Sequence, residues 1–277
     1  MNNLRRLTGS VAVVALLADG AFAADIPPAP PPAQPIAVAP ARTYDLILEI
    51  GAGAQVRPAY EGARDYQIDP TGFATLHYLW LPGLGELKSG RKAEGFFIGP
   101  SFRYVSKRDS NDSPQLLGLN NIDATFELGA KAGYDFNWVR PWVAVRYGLG
   151  GHSGIVGETG LNFVFRPTEL TEFTVGPRAS FANSEYMQTY LGVSPTEAAR
   201  SPFMWAYAPG GGFKGVGLDA TARYQFTPQW AVVGELIYER LVGDAANSPI
   251  VQVGGDVNQF TGKLGLSYKF GMKLFRD

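Results

Sequence analysis

Two histidines and no cysteine limit the chemistry this chain can perform. Thiolate nucleophiles, disulfides and metal sites built on thiolates or three imidazoles are excluded. What remains is a serine activated by His77 or His152, and Gly151-His152-Ser153-Gly154 sets the second histidine beside a serine. A Ser-His pair would support ester hydrolysis, the chemistry of lipid-cleaving enzymes. Neighbouring residues on an extended chain point to opposite sides, however, so His152 is badly placed to take the proton of Ser153, and no Gly-x-Ser-x-Gly elbow surrounds it. The tetrapeptide reads as a glycine turn at a strand end. The chain reads as a non-enzyme without cofactor or metal. Lys and Arg (24) cancel Asp and Glu (25), which leaves no electrostatic footprint for nucleic acid.

The elements that hold these residues begin with an address. Arg5 and Arg6 precede the apolar run Val11 to Leu17, and Ala21-Phe22-Ala23 places small residues where a signal peptidase cuts. Seven or eight apolar residues are too few for a membrane anchor, which needs about 20. Residues 1–23 are therefore expected to be a cleaved signal peptide. Residues 24–41 hold seven prolines between Ile26 and Pro40 and read as an extended linker in the periplasm.

From Tyr44 onward the period is two. Ile122, Ala124, Phe126, Leu128, Ala130, Ala132, Tyr134 and Phe136 are apolar, and Asp123, Thr125, Glu127, Gly129, Lys131, Gly133 and Asp135 alternate with them. The same alternation runs through Leu46 to Val56, Val216 to Phe226 and Phe260 to Phe270. Several stretches pass ten residues, longer than the ~5–6 of a sandwich strand and long enough to cross a bilayer at a tilt. Aromatic residues gather at strand ends: Tyr78, Trp80, Tyr134, Trp138, Phe226, Trp230 and Tyr268 at one rim, and Tyr104, Tyr147 and Tyr238 at the other. With the signal peptide, the pattern predicts an all-β fold, a transmembrane antiparallel β-barrel in the outer membrane of a Gram-negative cell, with lipid as its surroundings and residues 42–277 as the barrel.

About ten strands are expected, with eight to twelve open: 44–56, 67–78, 95–105, 122–136, 138–149, 156–165, 171–181, 214–226, 229–241 and 258–270. With both termini periplasmic, the short turns fall near Asn137, at Arg166 to Leu170 and at Thr227-Pro228; the long connections 106–121, 182–213 and 242–257 face outward. Only Leu79 to Glu94 breaks this rule, being long and periplasmic. On the inward faces, acids such as Glu49, Glu127, Glu158 and Glu239 nearly balance bases such as Arg103, Arg146, Arg178 and Arg223, so the lumen is expected to be filled by paired side chains and closed or barely leaky. Phe126→Arg and Leu218→Arg should impair assembly, and Glu127→Gln should be milder.

Lys263 to Phe270 looks like the terminal-strand signal read by the outer-membrane assembly machinery, although Gly271 to Asp277 continue past it. Gly51-Ala52-Gly53, Pro58-Ala59-Tyr60-Glu61-Gly62, Gly99-Pro100, Gly151 to Gly154, Gly176-Pro177, Tyr186 to Ser194, Arg240 to Ala245 and Ser248-Pro249 follow one another along the mature chain. In these motifs the chain resembles the MipA/OmpV family of outer-membrane proteins, departing from it at Leu191, at Ser201-Pro202 and over 79–94. The resemblance implies a scaffold that binds a lytic transglycosylase and a murein synthase, or alternatively a surface receptor or adhesin acting through outer loops; a narrow small-solute channel is a third reading. It brings no catalytic residues. Only periplasmic parts can reach murein enzymes, so the candidate contacts are the Pro-rich segment and Trp80, Leu84, Lys88, Arg91 and Lys92. Oligomeric state is not legible.

Overall fold

The computed structural model describes residues 43–88, 94–111 and 113–275. The expected signal peptide and linker lie outside these residues, as do Arg91 and Lys92. The strands are β1 (Leu46–Pro58), β2 (Tyr66–Leu81), β3 (Gly85–Lys88), β4 (Gly95–Val105), β5 (Thr125–Asp135), β6 (Val139–Gly150), β7 (Ile155–Thr168), β8 (Thr171–Ala182), β9 (Gly212–Gln225), β10 (Trp230–Leu241) and β11 (Asn258–Met272). All pair antiparallel in one sheet of order β3-β2-β1-β11-β10-β9-β8-β7-β6-β5-β4. Ten long strands build the wall at the expected places. The eleventh, β3, keeps the count within the expected eight to twelve: β2 runs on to Leu81 and turns back at Pro82-Gly83 inside the 79–94 connection. β2 continues through the apolar run Tyr78 to Leu81, and a Pro-Gly pair then makes the turn.

The sheet curls until β2 and β4 meet. The side-chain position at Gly99 on β4 lies 3.7 Å from Cβ of Leu76 on β2, although no ladder joins these two strands among the described residues. The barrel is therefore nearly closed. Register decides which side chains see lipid: Phe126, Leu218 and Leu264 are 59%, 53% and 64% exposed, while their neighbours Glu127 and Asp219 are 0% and 4% exposed. Among the described residues no helix is long and apolar enough to cross a membrane; the strands do the crossing.

At the end opposite the termini, the long connections are not open loops. They contain α1 (Ser184–Leu191), α2 (Pro195–Arg200), α3 (Gly243–Ala246), α4 (Pro249–Gly254) and a 3-10 turn at Pro114–Leu116. Each longer helix starts on a side-chain cap. Asn183 accepts from the Tyr186 amide (3.1 Å), Ser194 and Glu197 form a capping box ahead of Pro195, and Ser248 accepts from the Ile250 amide (3.2 Å). Tyr186, Met187, Tyr190, Leu191, Leu241, Ala245 and Val251 make one buried cluster; Tyr60, Leu116, Leu119, Val193, Met204 and Ile250 make a second. These clusters form a cap with a hydrophobic core of its own, which burial of large apolar side chains stabilises.

Candidate functional site

The β2–β3 hairpin gathers three of the five expected contact residues. Leu81 accepts from the Leu84 amide (3.2 Å), and Gly83 (φ +80°) and Gly85 (φ +91°) take the left-handed conformations the turn requires. Pairing sets Tyr78 opposite Lys88 and Trp80 opposite Glu86, so these four share one face, while Leu79, Leu81 and Leu87 share the other. Lys88 pairs with Glu86 (2.6 Å), and the Tyr78 hydroxyl donates to Glu86 (3.2 Å). Leu84 stands at the tip, 84% exposed. The base of the hairpin is fixed to the rim. The Trp80 amide donates to the Asp45 carbonyl (2.7 Å), the Trp80 ring meets Phe275 edge-on at 5.6 Å, and the Asp45 carboxylate accepts from the Leu274 and Phe275 amides at 2.8 and 3.0 Å. The residues after the terminal-strand signal thus brace this hairpin.

Inside the wall, charges alternate around the barrel. Arg103 on β4 donates to Glu127 on β5 at 2.7 and 2.8 Å, Arg146 on β6 reaches Glu127 (3.1 Å) and also Glu158 on β7, and Arg178 on β8 meets Glu158 (3.1 Å). Lys263 pairs with Glu235 (2.8 Å) and Lys214 with Glu239 (3.1 Å), while Arg223 and His77 hold Glu49 at the terminal end. Most links join neighbouring strands; Arg223 crosses from β9 to β1, and Arg103 on β4 also comes within 3.6 Å of Glu158 on β7. The long side chains therefore lie along the wall instead of across the axis. This corrects the expectation of a filled lumen: a cavity of about 1110 Å³ remains under the cap and another of about 290 Å³ lies toward the termini, with Phe73, Lys131 and Trp142 lining both. The Lys131 ammonium sits 4.0 Å over the Trp142 ring. Four buried atoms lack a hydrogen-bond partner among the described residues: Arg108 Nε, His152 Nε2, Arg178 Nε and Asp219 Oδ1.

A family model described as MltA-interacting protein MipA matches residues 50–270. The chain belongs to the MipA family. It is similar to the MltA-interacting protein of Escherichia coli (strain K12), 28% identical over 232 residues covering 79% of this chain and 89% of that protein. It is also similar to outer membrane protein Omp26La of Vibrio anguillarum, 26% identical over 234 residues covering 83% and 79%. Among solved structures, the N-terminal β-barrel domain of Pseudomonas aeruginosa OprF aligns over 81% of this chain and 97% of its own, at 11% identity and a TM-score of 0.30. This MipA-family chain is an outer-membrane β-barrel.

Three of the stretches in which the chain resembles the family, Pro58 to Gly62, Tyr186 to Ser194 and Ser248-Pro249, meet in the cap. In this MipA-family barrel, Glu61 takes hydrogen bonds from Lys214 (2.5 Å) and the Tyr186 hydroxyl (3.2 Å), Ser248 donates to the Leu191 carbonyl (2.6 Å), and the buried Arg108 donates to the Tyr190 carbonyl (3.0 Å). Burial pushes Arg108 down to about 10 against the opposing pull of Glu197, so it stays charged at neutral pH. Burial likewise raises the phenols of Tyr186 and Tyr190. Gly151 to Gly154 form the expected turn, between β6 and β7, but His152 is buried within it. Its ring has no exposed surface and packs edge-on to Tyr186 (5.0 Å) and Tyr190 (5.3 Å), with Nδ1 accepting from the Gly154 amide (3.1 Å). Ser153 turns away and donates to Glu185. The geometry brings the two side chains to different partners, as an extended chain requires. Sequence reasoning missed the capped helices, although the capping box and the two serine-proline starts are visible as Ser194-Pro195-x-Glu197 and Ser248-Pro249.

Proposed function

We propose that this barrel acts by contact and not by catalysis, as a scaffold for murein-remodelling enzymes at the outer membrane. The reading takes residues 1–23 as a cleaved signal peptide, 24–41 as a periplasmic linker and 42–277 as the barrel, with both termini in the periplasm. The observation that carries it is the β2–β3 hairpin: it is long where the other turns at that rim are tight, it is braced by Asp45 and Phe275, and it offers Leu84 and Lys88 to the solvent. Rigid, braced display of an apolar tip beside a charge lowers the ordering cost of association. The relative named MltA-interacting protein supports a lytic transglycosylase as the partner; a murein synthase is the second expected partner. Trp80, Leu84 and Lys88 would make the contact, with Arg91 and Lys92 beyond them. A photo-crosslinker at position 84 in living cells should capture a lytic transglycosylase, and a crosslinker at position 205 should not. Capture of outer-surface ligands alone, from position 205, would support the second reading. That reading is a surface receptor, favoured by Phe203 and Trp205, which stand 49% and 52% exposed on the cap.

A further inference from the structure

The wall contains a join of a different kind from its other seams. Gly99 shares the inward face of β4 with Ser101 and Arg103, yet its side-chain position lies 3.7 Å from both Cβ and the amide nitrogen of Leu76, on the outward face of β2. The two strands lap over one another and do not pair edge to edge. Both carry a proline in mid-strand, Pro70 and Pro100, and each proline removes an amide hydrogen that a ladder would use. At the other end of the join the side-chain position of Gly72 is 3.6 Å from the Phe102 ring.

The larger cavity reaches this join. Its lining includes the inward Arg103, Arg178 and Lys214, and it also includes Phe102, Tyr104 and Phe126, which belong to the lipid-facing side. Tyr186 and Tyr190 close it from above. At about 1110 Å³ it is larger than most small-molecule sites, which run from ~300 to 1,000 Å³. Bases outnumber acids in its lining by eight to six, Arg108 and Arg178 among them. A guanidinium favours phosphate oxygens.

We propose that the β2–β4 join is a side entrance from the bilayer, and that the cavity binds the phosphorylated headgroup of a membrane amphiphile. The headgroup phosphate meets the basic side chains of the lining. The acyl chains stay in the lipid against Phe102, Tyr104 and Phe126.

The absence of native cysteine makes the test direct. Leu76→Cys with Gly99→Cys places two Cβ atoms 3.7 Å apart, close to the ~3.8 Å of a disulfide. The full barrel, folded under reducing conditions and stripped of lipid, is mixed with phosphatidylglycerol, lipid A or uncharged diacylglycerol and followed by native mass spectrometry. The reduced form should retain a phosphorylated lipid and discriminate against diacylglycerol, and oxidation should weaken binding about tenfold or more, reversibly. Preference for phosphatidylglycerol would identify a glycerophospholipid as the source, and preference for lipid A a phosphorylated glycolipid. Gly72→Trp blocks the same join without a disulfide and should give the same loss. Equal binding by open and blocked forms, or equal binding of diacylglycerol, would overturn the proposal.

Discussion

Glu127 has no exposed surface and is held by Arg103 and Arg146, with His152 Nε2 at 3.4 Å. Glu127→Gln would leave two guanidiniums facing a neutral amide in a buried site, a change that costs about 3–5 kcal/mol when a buried pair is broken. Its urea midpoint in detergent should fall at least as far as that of Phe126→Arg, which costs about 2–4 kcal/mol at the bilayer midplane. This reverses the order that the alternation suggests. Periodicity correctly turns Glu127, Arg103 and Arg146 inward, but which acid meets which base depends on the stagger between strands, which a single sequence does not carry. His152 illustrates the same limit. Its ring lies over Gly148, whose side-chain position is 2.1 Å from the imidazole, so Gly148→Ala should eject the ring and loosen α1, read as faster amide exchange at Tyr186 to Leu191.

The helices of the cap rest on polar starts. Ser194→Ala removes the hydroxyl that caps α2 and should cost about 1 kcal/mol locally. Within the same box Glu197 is desolvated, which would raise its carboxyl, yet hydrogen bonds from the Ser194 hydroxyl and from the Asn120 and Ser194 amides hold it below the usual range. A depressed folded-state value means that its stabilisation is present above the unfolded value and is lost as pH falls through the folded one. Below about pH 4 amide exchange over 114–120 and 195–200 should therefore rise while strand amides stay protected. Strands of 11 to 16 residues were legible because their period repeats many times. Helices of four to eight residues present one or two turns, too few for a period, and only their caps reveal them.

At the scale of the whole molecule, 34 glycines, a net charge of -1 and a mean hydropathy of -0.05 suit a barrel whose lipid face is apolar and whose interior charges cancel in pairs. The sequence suggests a closed lumen filled by side chains; the structure instead closes it with a cap over a cavity. No large steady conductance is expected in planar bilayers, and removal of residues 184–200 should produce one. The proposed scaffold depends most on which rim faces the periplasm. Single cysteines at position 84 on the hairpin and position 205 on the cap, probed on whole cells with a membrane-impermeant maleimide, decide this in a chain without native cysteine. The account predicts labelling at 205 in intact cells and at 84 only after the outer membrane is permeabilised; labelling of 84 in intact cells with protection of 205 would contradict it.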